Sequence, residues 1–216
     1  MRNKKFVIWD WNGTLLNDVE LGHRIFAEIC QAHDLGYPTL EDYREYYQHP
    51  IDRMYTAAGF DLEKVPMSKI AALWHDGYMG GIDKVKLHHD AITVLEALRL
   101  RGAVQTVLSA LPHEILLHSI DLNGVSEYFT LVSGLADNLG RSKVDNGHAM
   151  LKQMGADPDQ VILFGDSSHD FETAQALGID CVLFGRGYES REKILQHGVR
   201  VCDDFGEVLA EMIEGL

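Results

Sequence analysis

The sequence contains few cysteines and no long apolar run. Its three cysteines, Cys30, Cys181 and Cys202, are odd in number and far apart, which argues against a disulfide framework or paired zinc ligands. No apolar run approaches the roughly 18 residues of a membrane-spanning helix, and Phe6–Trp9 is shorter than the roughly 7–15 residues of a signal-peptide core. We therefore expect a cytoplasmic protein that does not interact with membranes.

Basic residues are also scarce. The chain has 19 Lys and Arg residues against 33 Asp and Glu residues, which gives a formal net charge of −14. Broad binding to nucleic acid needs a basic surface, so we expect none. A small anionic substrate is compatible with this charge, because a local site can be positive on an acidic protein.

Four short apolar runs alternate with helical patterns along most of the chain. The runs are Phe6–Trp9, Val104–Leu108, Val161–Phe164 and Cys181–Phe184. Apolar residues at helical spacing form three faces, namely Ala91, Val94, Leu95 and Leu98; Ile115, Leu116 and Ile120; and Ala149, Met150 and Met154. Strands that alternate with helices indicate βαβ units, so the sequence predicts an α/β fold with a Rossmann-like parallel sheet.

The stretch between the first two strands breaks this alternation. It contains no strand pattern, and the sequence predicts helices at Val19–His33, Leu40–Gln48 and Met67–Tyr78. We therefore expect residues 1–16 and 83–216 to form the α/β core and residues 17–82 to form a helical insertion. Hinges between the two parts are expected at Asn17 and at Gly80–Asp83.

Four polar residues fall at or near the ends of the predicted strands. Asp10, Ser109 and Asp166 follow strands, and Lys143 precedes the Val161–Phe164 strand. Ligands of parallel sheets bind outside the carboxyl ends of the strands, so these side chains are expected to meet at one edge. A carboxylate can attack phosphorus, and neighbouring carboxylates favour a hard divalent cation such as Mg2+. A hydroxyl and an ammonium group suit phosphoryl oxygens.

The segments around these residues resemble the four motifs of the haloacid dehalogenase superfamily. The first motif, Asp-x-Asp-Gly-Thr-Leu, is similar to Asp10-Trp11-Asn12-Gly13-Thr14-Leu15. The fourth, Gly-Asp-x-x-x-Asp, matches Gly165-Asp166-Ser167-Ser168-His169-Asp170. Ser109 matches the second motif and Lys143 the third. The order and spacing fit nearly the whole chain, the nearest branch is the phosphoglycolate-phosphatase-like group, and the helical insertion lies where this family carries a helical cap.

The resemblance implies a magnesium-dependent phosphomonoester hydrolase that acts on a small phosphorylated metabolite through an aspartyl-phosphate. By position, Asp10 resembles the nucleophile and a Mg2+ ligand, and Asp166 resembles the direct carboxylate ligand. Asp170 would contact the metal through water, and Asn12 through its backbone carbonyl. Lys143 would also offset the charge between nucleophile and phosphate. The residues expected to bind phosphate are Asn12, Gly13, Thr14, Ser109, Ala110 and Lys143.

Asn12 departs from the family pattern, because phosphatases of this family usually have Asp there as general acid and base. An amide does not titrate in the useful range, and general acid–base catalysis contributes roughly 10²–10⁴-fold. Several explanations are open: a slow phosphatase, another acid, substrates with good leaving groups, or an engineered replacement of Asp. Two other functions are also open. Phosphonate or carbon–halogen cleavage needs no Asp here, and a phosphate sensor needs little turnover.

Further candidates for substrate contact and proton transfer are Arg53, His113 and His169. Arg53 suits a carboxylate or a second phosphate, and a surface salt bridge is an equal alternative. His113 and His169 can titrate near neutral pH, and a solvated or hydrogen-bonded histidine is the alternative for both. Lys64 and Lys69 are the candidates for the cap lysine that a phosphonate-cleaving enzyme needs. The sequence specifies neither the natural substrate nor the oligomeric state.

Overall fold

The computed structural model describes residues 4–135, 143–207 and 209. The strands in these ranges are β1 Phe6–Trp9, β2 Val104–Pro112, β3 Leu131–Leu135, β4 Val161–Gly165, β5 Asp180–Phe184 and β6 Arg200–Cys202. They form one sheet in the order β3-β2-β1-β4-β5-β6, and all neighbouring strands are parallel. The predicted α/β fold with a parallel sheet is therefore confirmed.

The sheet differs from the sequence prediction in two respects. β2 continues through Ser109 and Ala110 to Pro112 instead of ending at Leu108, and its pairing with β3 shifts register between Leu108 and Pro112. β3 and β6 were not predicted, because they lack a continuous buried apolar run: β3 is mostly half-buried, and β6 has three residues. Both are edge strands, which need less apolar sequence than central ones.

Five helices follow β1 before the sheet resumes at β2, and the first four are α1 Val19–Ala32, α2 Leu40–Tyr46, α3 Ile51–Ala57 and α4 Met67–Met79. α1, α2 and α4 match the predicted helices to within two residues at each end. α3 was not predicted, because it spans seven residues and begins directly after Pro50. The later helices are α5 Ala91–Leu100, α6 His113–Leu122, α7 Lys143–Met154, α8 Ser168–Leu177 and α9 Arg191–Leu195.

The predicted helix faces are largely confirmed. All four apolar residues of the α5 face are buried, as are Leu116 and Ile120 of α6. The α7 face was partly wrong, because Ala149 is exposed. The buried residues of α7 are Lys143, Gly147, Met150 and Leu151. No helix in the described ranges is long and apolar enough to cross a membrane.

β1 occupies the centre of the sheet, where the strand order reverses. Trp9 at its carboxyl end is in register with Val107 of β2 and Phe164 of β4. The chain passes from β1 to β2 and β3 on one side and then crosses to β4 on the other. In sheets of this order, ligands bind at the carboxyl ends of the strands beside that reversal. Asp10 and Asp166, which follow β1 and β4, lie at that position.

Candidate active site

The chain turns sharply directly after β1. Gly13 in this turn has a φ of +74°, in the left-handed region that favours glycine. A Cβ atom at Gly13 would lie 2.5 Å from Asp166 Oδ2 and 2.6 Å from the ring of Tyr188. Glycine is therefore needed here for the backbone conformation and for the close approach of Asp166.

Three carboxylates and one ammonium group meet at the sheet edge that the sequence indicated. Asp10, Asp166 and Asp170 each offer one oxygen atom, and these atoms lie within 4.8 Å of one another. Lys143, the first residue of α7, has its Nζ 2.6 Å from Asp10 Oδ1 and 2.5 Å from Asp170 Oδ1. All four side chains are buried. The first, third and fourth motifs of the sequence thus converge on one point.

Asp170 also fixes the turn between β4 and α8. Its Oδ2 atom accepts hydrogen bonds from the backbone amides of Asp166 and Ser167, each at 3.1 Å, and from the Ser167 hydroxyl at 2.7 Å. These bonds satisfy amides that the start of α8 leaves without helical partners. The other carboxylate oxygen of Asp170 accepts from Lys143. Both oxygens of Asp170 are therefore already engaged by the protein.

The charges at this site do not cancel. Burial, together with the negative charge of Asp170, raises the pKa of Asp10 to about 7 against the attraction of Lys143. Burial and the charge of Asp10 raise the pKa of Asp166 well above its usual range. Burial opposes ionisation of Asp170 as well, but the charge and hydrogen bond of Lys143 outweigh it and lower the pKa of Asp170. One ammonium group therefore faces three carboxylates, which leaves an excess of negative charge.

The donor set fits a divalent cation. The Thr14 hydroxyl lies 3.2 Å from both Asp10 Oδ2 and Asp166 Oδ1. Its single hydrogen can serve only one of these two oxygens, so the other lacks this donor. Three ionised carboxylates at this separation would leave two negative charges that Lys143 does not balance, and this matches the preference of hard divalent cations such as Mg2+.

Ser109, the residue of the second predicted motif, lies on β2 and lines the same cavity as the carboxylate cluster. Ser109 is 1% exposed, and its Oγ accepts from the amide of Leu111 at 3.0 Å. Its hydroxyl also lies 3.5 Å from Asn12 Oδ1. Ser109, Ala110 and Asn12 line the same cavity as Asp10 and Lys143. Of the residues expected to bind phosphate, Gly13 and Thr14 are buried and are not among the residues that line the cavity.

A fourth carboxylate, Asp18, was not anticipated from the sequence. It has no exposed surface, and its Oδ2 accepts from Asn12 Nδ2 at 2.6 Å, Tyr188 OH at 2.8 Å and Tyr78 OH at 2.9 Å. Its Oδ1 accepts from the amide of Gly13 at 2.9 Å. Burial raises the pKa of Asp18, against these hydrogen bonds. In the sequence Asp18 looks like the cap of α1, but its side chain makes no capping bond.

A cavity of about 290 Å3 lies above Asp10. The residues of the catalytic motifs form its base, and side chains of α1–α4 form much of its wall. The wall is mostly apolar and aromatic, and includes Phe26, Tyr43, Met54, Tyr55, Met67 and Trp74.

The remaining candidates from the sequence are divided between the cavity and the surface. His169 lines the cavity and stacks on His49, with ring centroids 4.2 Å apart. Burial lowers the pKa of His169 to about 4 and that of His49 to about 3. His113 does not line the cavity, and its Nδ1 accepts from the amide of Gly134 at 3.2 Å. Arg53 lies on the exposed face of α3, outside the cavity lining.

Comparisons with known proteins agree with this geometry. The sequence model of a family described as haloacid dehalogenase-like hydrolase matches residues 7–184. A phosphoglycolate phosphatase from Rhodobacter capsulatus is 27% identical over 191 residues, which cover 84% of each chain. Another from Aliivibrio fischeri is 26% identical over 223 residues, or 95% of each chain.

Solved structures share the whole fold. A haloacid dehalogenase-like hydrolase from Streptococcus pneumoniae superposes with a TM-score of 0.84 at 19% identity, covering 98% of this chain and 100% of that one. A predicted phosphatase from Clostridium acetobutylicum has the same TM-score at 17% identity, covering 99% of this chain and 100% of that one. At these identities the likeness concerns the fold alone.

Gly187 provides a test of how closely Asp166 is positioned. A Cβ at this buried glycine would lie 2.1 Å from Asp166 Oδ2, and the neighbouring amide of Tyr188 donates to that oxygen at 2.6 Å. Gly187→Ala should therefore displace the carboxylate and weaken binding of a divalent cation by the carboxylate cluster about 10-fold or more, as changes around metal ligands do. Gly80→Ala is the control, since a Cβ there meets its nearest atom at 3.4 Å. Equal Mg2+ affinity of the two variants in calorimetric titration would contradict this role.

Proposed function

Because the chain belongs to the haloacid dehalogenase-like hydrolase family, we propose that it is a magnesium-dependent phosphomonoester hydrolase acting on a small phosphorylated metabolite. The observation that carries the proposal is the buried group of Asp10, Lys143, Asp166 and Asp170 at the base of a cavity. The relatives named phosphoglycolate phosphatases support the reaction class.

Asp10 is the proposed nucleophile, because it is the carboxylate of the first motif and lines the cavity. One of its oxygens forms a bond to phosphorus while the bond from phosphorus to the ester oxygen breaks. Lys143 and Ser109 hold the phosphoryl oxygens and offset their charge. Water then hydrolyses the aspartyl-phosphate, which releases inorganic phosphate and restores Asp10.

The proposed Mg2+ ligands are Asp10, Asp166 and the backbone carbonyl of Asn12, with Asp170 acting through water. The engagement of both Asp170 oxygens by protein donors supports this indirect role. When bound, the cation would neutralise the excess negative charge at the site and favour the approach of a phosphate dianion. Lys143 remains beside the nucleophile in this arrangement.

We further propose that residues 17–82 act as a cap on a core of residues 1–16 and 83–216. Two observations support this division. The cavity is enclosed from one side by α1–α4 and from the other by the sheet edge. The two chain crossings also lie together, since the amide of Asn17 donates to the carbonyl of Lys86 at 2.9 Å. Paired crossings of this kind suit a hinge that opens and closes the cavity.

The surroundings of Asn12 give a physical reason for its amide. A carboxylate at position 12 would face the Asp18 carboxylate across the 2.6 Å contact that the amide now makes as a donor. Two buried like charges at this distance repel strongly. On this ground we propose that Asn12 is the native residue, matched to Asp18. Of the histidines considered for proton transfer, His169 lines the cavity and His113 does not.

The alternative reactions find less support. Phosphonate cleavage would need a lysine from the cap, but neither Lys64 nor Lys69 is among the described residues that line the cavity. Lys64 instead pairs with Asp61 on the surface. Dehalogenating relatives lack the fourth motif, whereas Asp166 and Asp170 are both present here. A phosphate sensor would use the same site with little turnover, so activity itself decides between sensor and enzyme.

Asp10→Asn should abolish hydrolysis, because an amide cannot form the aspartyl-phosphate. Beryllium fluoride, which mimics an acyl phosphate, should bind the native protein in the presence of Mg2+ and should not bind the variant. Asp76→Asn is the matched control, since the side chain of Asp76 is 85% exposed on α4. Hydrolysis at the native rate by Asp10→Asn would contradict the mechanism, and binding of phosphate without any turnover by the native protein would favour a sensor.

Exchanging the side chains at positions 12 and 18 tests the effect of a general acid on the rate separately from the effect of the hydrogen-bond network on stability. Asn12→Asp alone should lower the thermal midpoint, because it places two buried carboxylates in contact. The double variant Asn12→Asp/Asp18→Asn keeps one amide and one carboxylate, so its midpoint should recover. It should also hydrolyse alkyl phosphates about 10²-fold faster than the native protein, and gain much less on aryl phosphates.

Asp18→Asn alone serves as the control for loss of the buried carboxylate. Mass spectrometry should confirm that Asn12 is intact in the native sample, since Asn followed by Gly is prone to deamidation. If a stable double variant shows no gain on alkyl phosphates, the argument from the missing acid is wrong, and His169 is the next residue to substitute.

A further inference from the structure

The side chains that form the cavity wall are mainly apolar and aromatic. Phe26, Tyr55 and Trp74 contribute aromatic rings, and Met54, Met67 and Ile115 contribute flexible or aliphatic side chains. The wall therefore favours an apolar body attached to the phosphate, since burying apolar surface is worth roughly 25 cal/mol per Å2.

The described part of the chain offers little to a second anionic group on the substrate. Among the described lining residues, Lys143 is the one Lys or Arg, and it is already paired with Asp10 and Asp170. His49 and His169 stack face to face with ring centroids 4.2 Å apart, so each ring covers one face of the other. A carboxylate buried without a partner would cost several kcal/mol.

His75 is the third histidine among the described lining residues. It lies on α4 with a side chain that is 46% exposed, and its Nδ1 is 3.4 Å from Asp76 Oδ1. An exposed ring beside a carboxylate is a weak site for an anion, because water and Asp76 both compete for it. The chemistry of the cavity above the motif residues is therefore apolar and aromatic.

The volume sets the size of the apolar body. An apolar cavity of roughly 150 Å3 accommodates benzene. The cavity here has about 290 Å3, which leaves room for one ring and for the phosphoryl group at Asp10. Aromatic side chains on the wall can also stack on such a ring.

The absence of an acid at Asn12 independently restricts the leaving group. Without a proton donor, the ester oxygen must leave as an anion. A phenol ionises at a pH of roughly 10 and leaves readily, whereas an aliphatic alcohol ionises far less easily and depends on a general acid. The ester bond therefore breaks with its electron pair on the phenolate oxygen, which afterwards takes a proton from water.

We propose that the substrate is the phosphate monoester of a phenol-type alcohol, with one aromatic ring in the cavity and no second anionic group. The proposal rests on the phosphatase function proposed above and adds its substrate class. It separates this chain from the relatives named for phosphoglycolate, whose substrate carries a carboxylate and an alkyl ester oxygen.

Four probes, each assayed with Mg2+, separate ring binding from leaving-group chemistry. Phenyl phosphate has a ring and a good leaving group, and benzyl phosphate has a ring and a poor one. Acetyl phosphate has a good leaving group and no ring, and phosphoglycolate has a carboxylate and a poor leaving group. We expect similar KM values for the two ring esters, and a kcat for phenyl phosphate about 10²-fold above that for benzyl phosphate.

The kcat/KM for phenyl phosphate should exceed that for phosphoglycolate by about 10³-fold, because the latter loses both ring burial and leaving-group ability. If acetyl phosphate is hydrolysed but phosphoglycolate is used as well as phenyl phosphate, the substrate class is wrong and the phosphatase function stands. If none of the four probes is hydrolysed, the phosphatase function fails, and the inference that rests on it fails as well.

A matched pair of variants at Ala71 tests the charge of the wall. Ala71 lines the cavity from an exposed position of α4, so polar side chains are tolerated there. Ala71→Arg adds a cation to the part of the wall that the described residues of α1–α4 form, and Ala71→Gln adds a long uncharged side chain. The ratio of kcat/KM for phosphoglycolate to that for phenyl phosphate should rise about 10-fold or more in the Arg variant relative to the Gln variant. Equal ratios in the two variants would contradict the argument from charge.

Discussion

Three carboxylates buried around a single ammonium group are the constraint on which the rest of the site depends. Burying Asp10, Asp166 and Asp170 together is unfavourable unless donors or a cation compensate them. The fold supplies Lys143, the amides at the start of α8 and the amide of Tyr188. The negative charge that these donors leave uncompensated is what a divalent cation would balance. The glycines beside the carboxylates follow from the same constraint, because a side chain there would collide with Asp166.

The hydrogen bond that Asn12 donates to Asp18 explains why an amide suits position 12. Asp18 joins the loop after β1, the helix α4 and the segment after β5, through Asn12, Tyr78 and Tyr188. A carboxylate at position 12 would break one of these bonds and add a second buried negative charge. The amide is therefore part of the connection between the loop and the surrounding helices, and it affects packing as well as proton transfer. Substituting position 12 alone changes both.

Features that depend on residues close together in the sequence could be predicted from the sequence alone. The central strands, the motif residues and the helical stretch after β1 follow from local patterns, and the structure brings Asp10, Ser109, Lys143 and Asp166 together as expected. Asp18 could not be identified this way, because its partners Tyr78 and Tyr188 are 60 and 170 residues away. The position of Arg53 depended on helix α3, which the local sequence pattern did not indicate. The unpredicted helix α3 turns Arg53 to the surface and Met54 toward the cavity, so α3 contributes an apolar side chain to the wall in place of Arg53.

The reaction and its substrate are therefore specified by different parts of the chain. In the proposed reaction, the motif residues at the sheet edge hold the phosphoryl group of any monoester that reaches Asp10. Lys143 is held by two carboxylates at the base, so it is not available to a distant anionic group of the substrate. Selection falls to the wall formed by α1–α4, where Met54, Tyr55 and Trp74 face the cavity. Membership of the family thus establishes the type of chemistry, whereas an apolar wall and an amide at position 12 both point to an ester of a different kind from that named for the relatives.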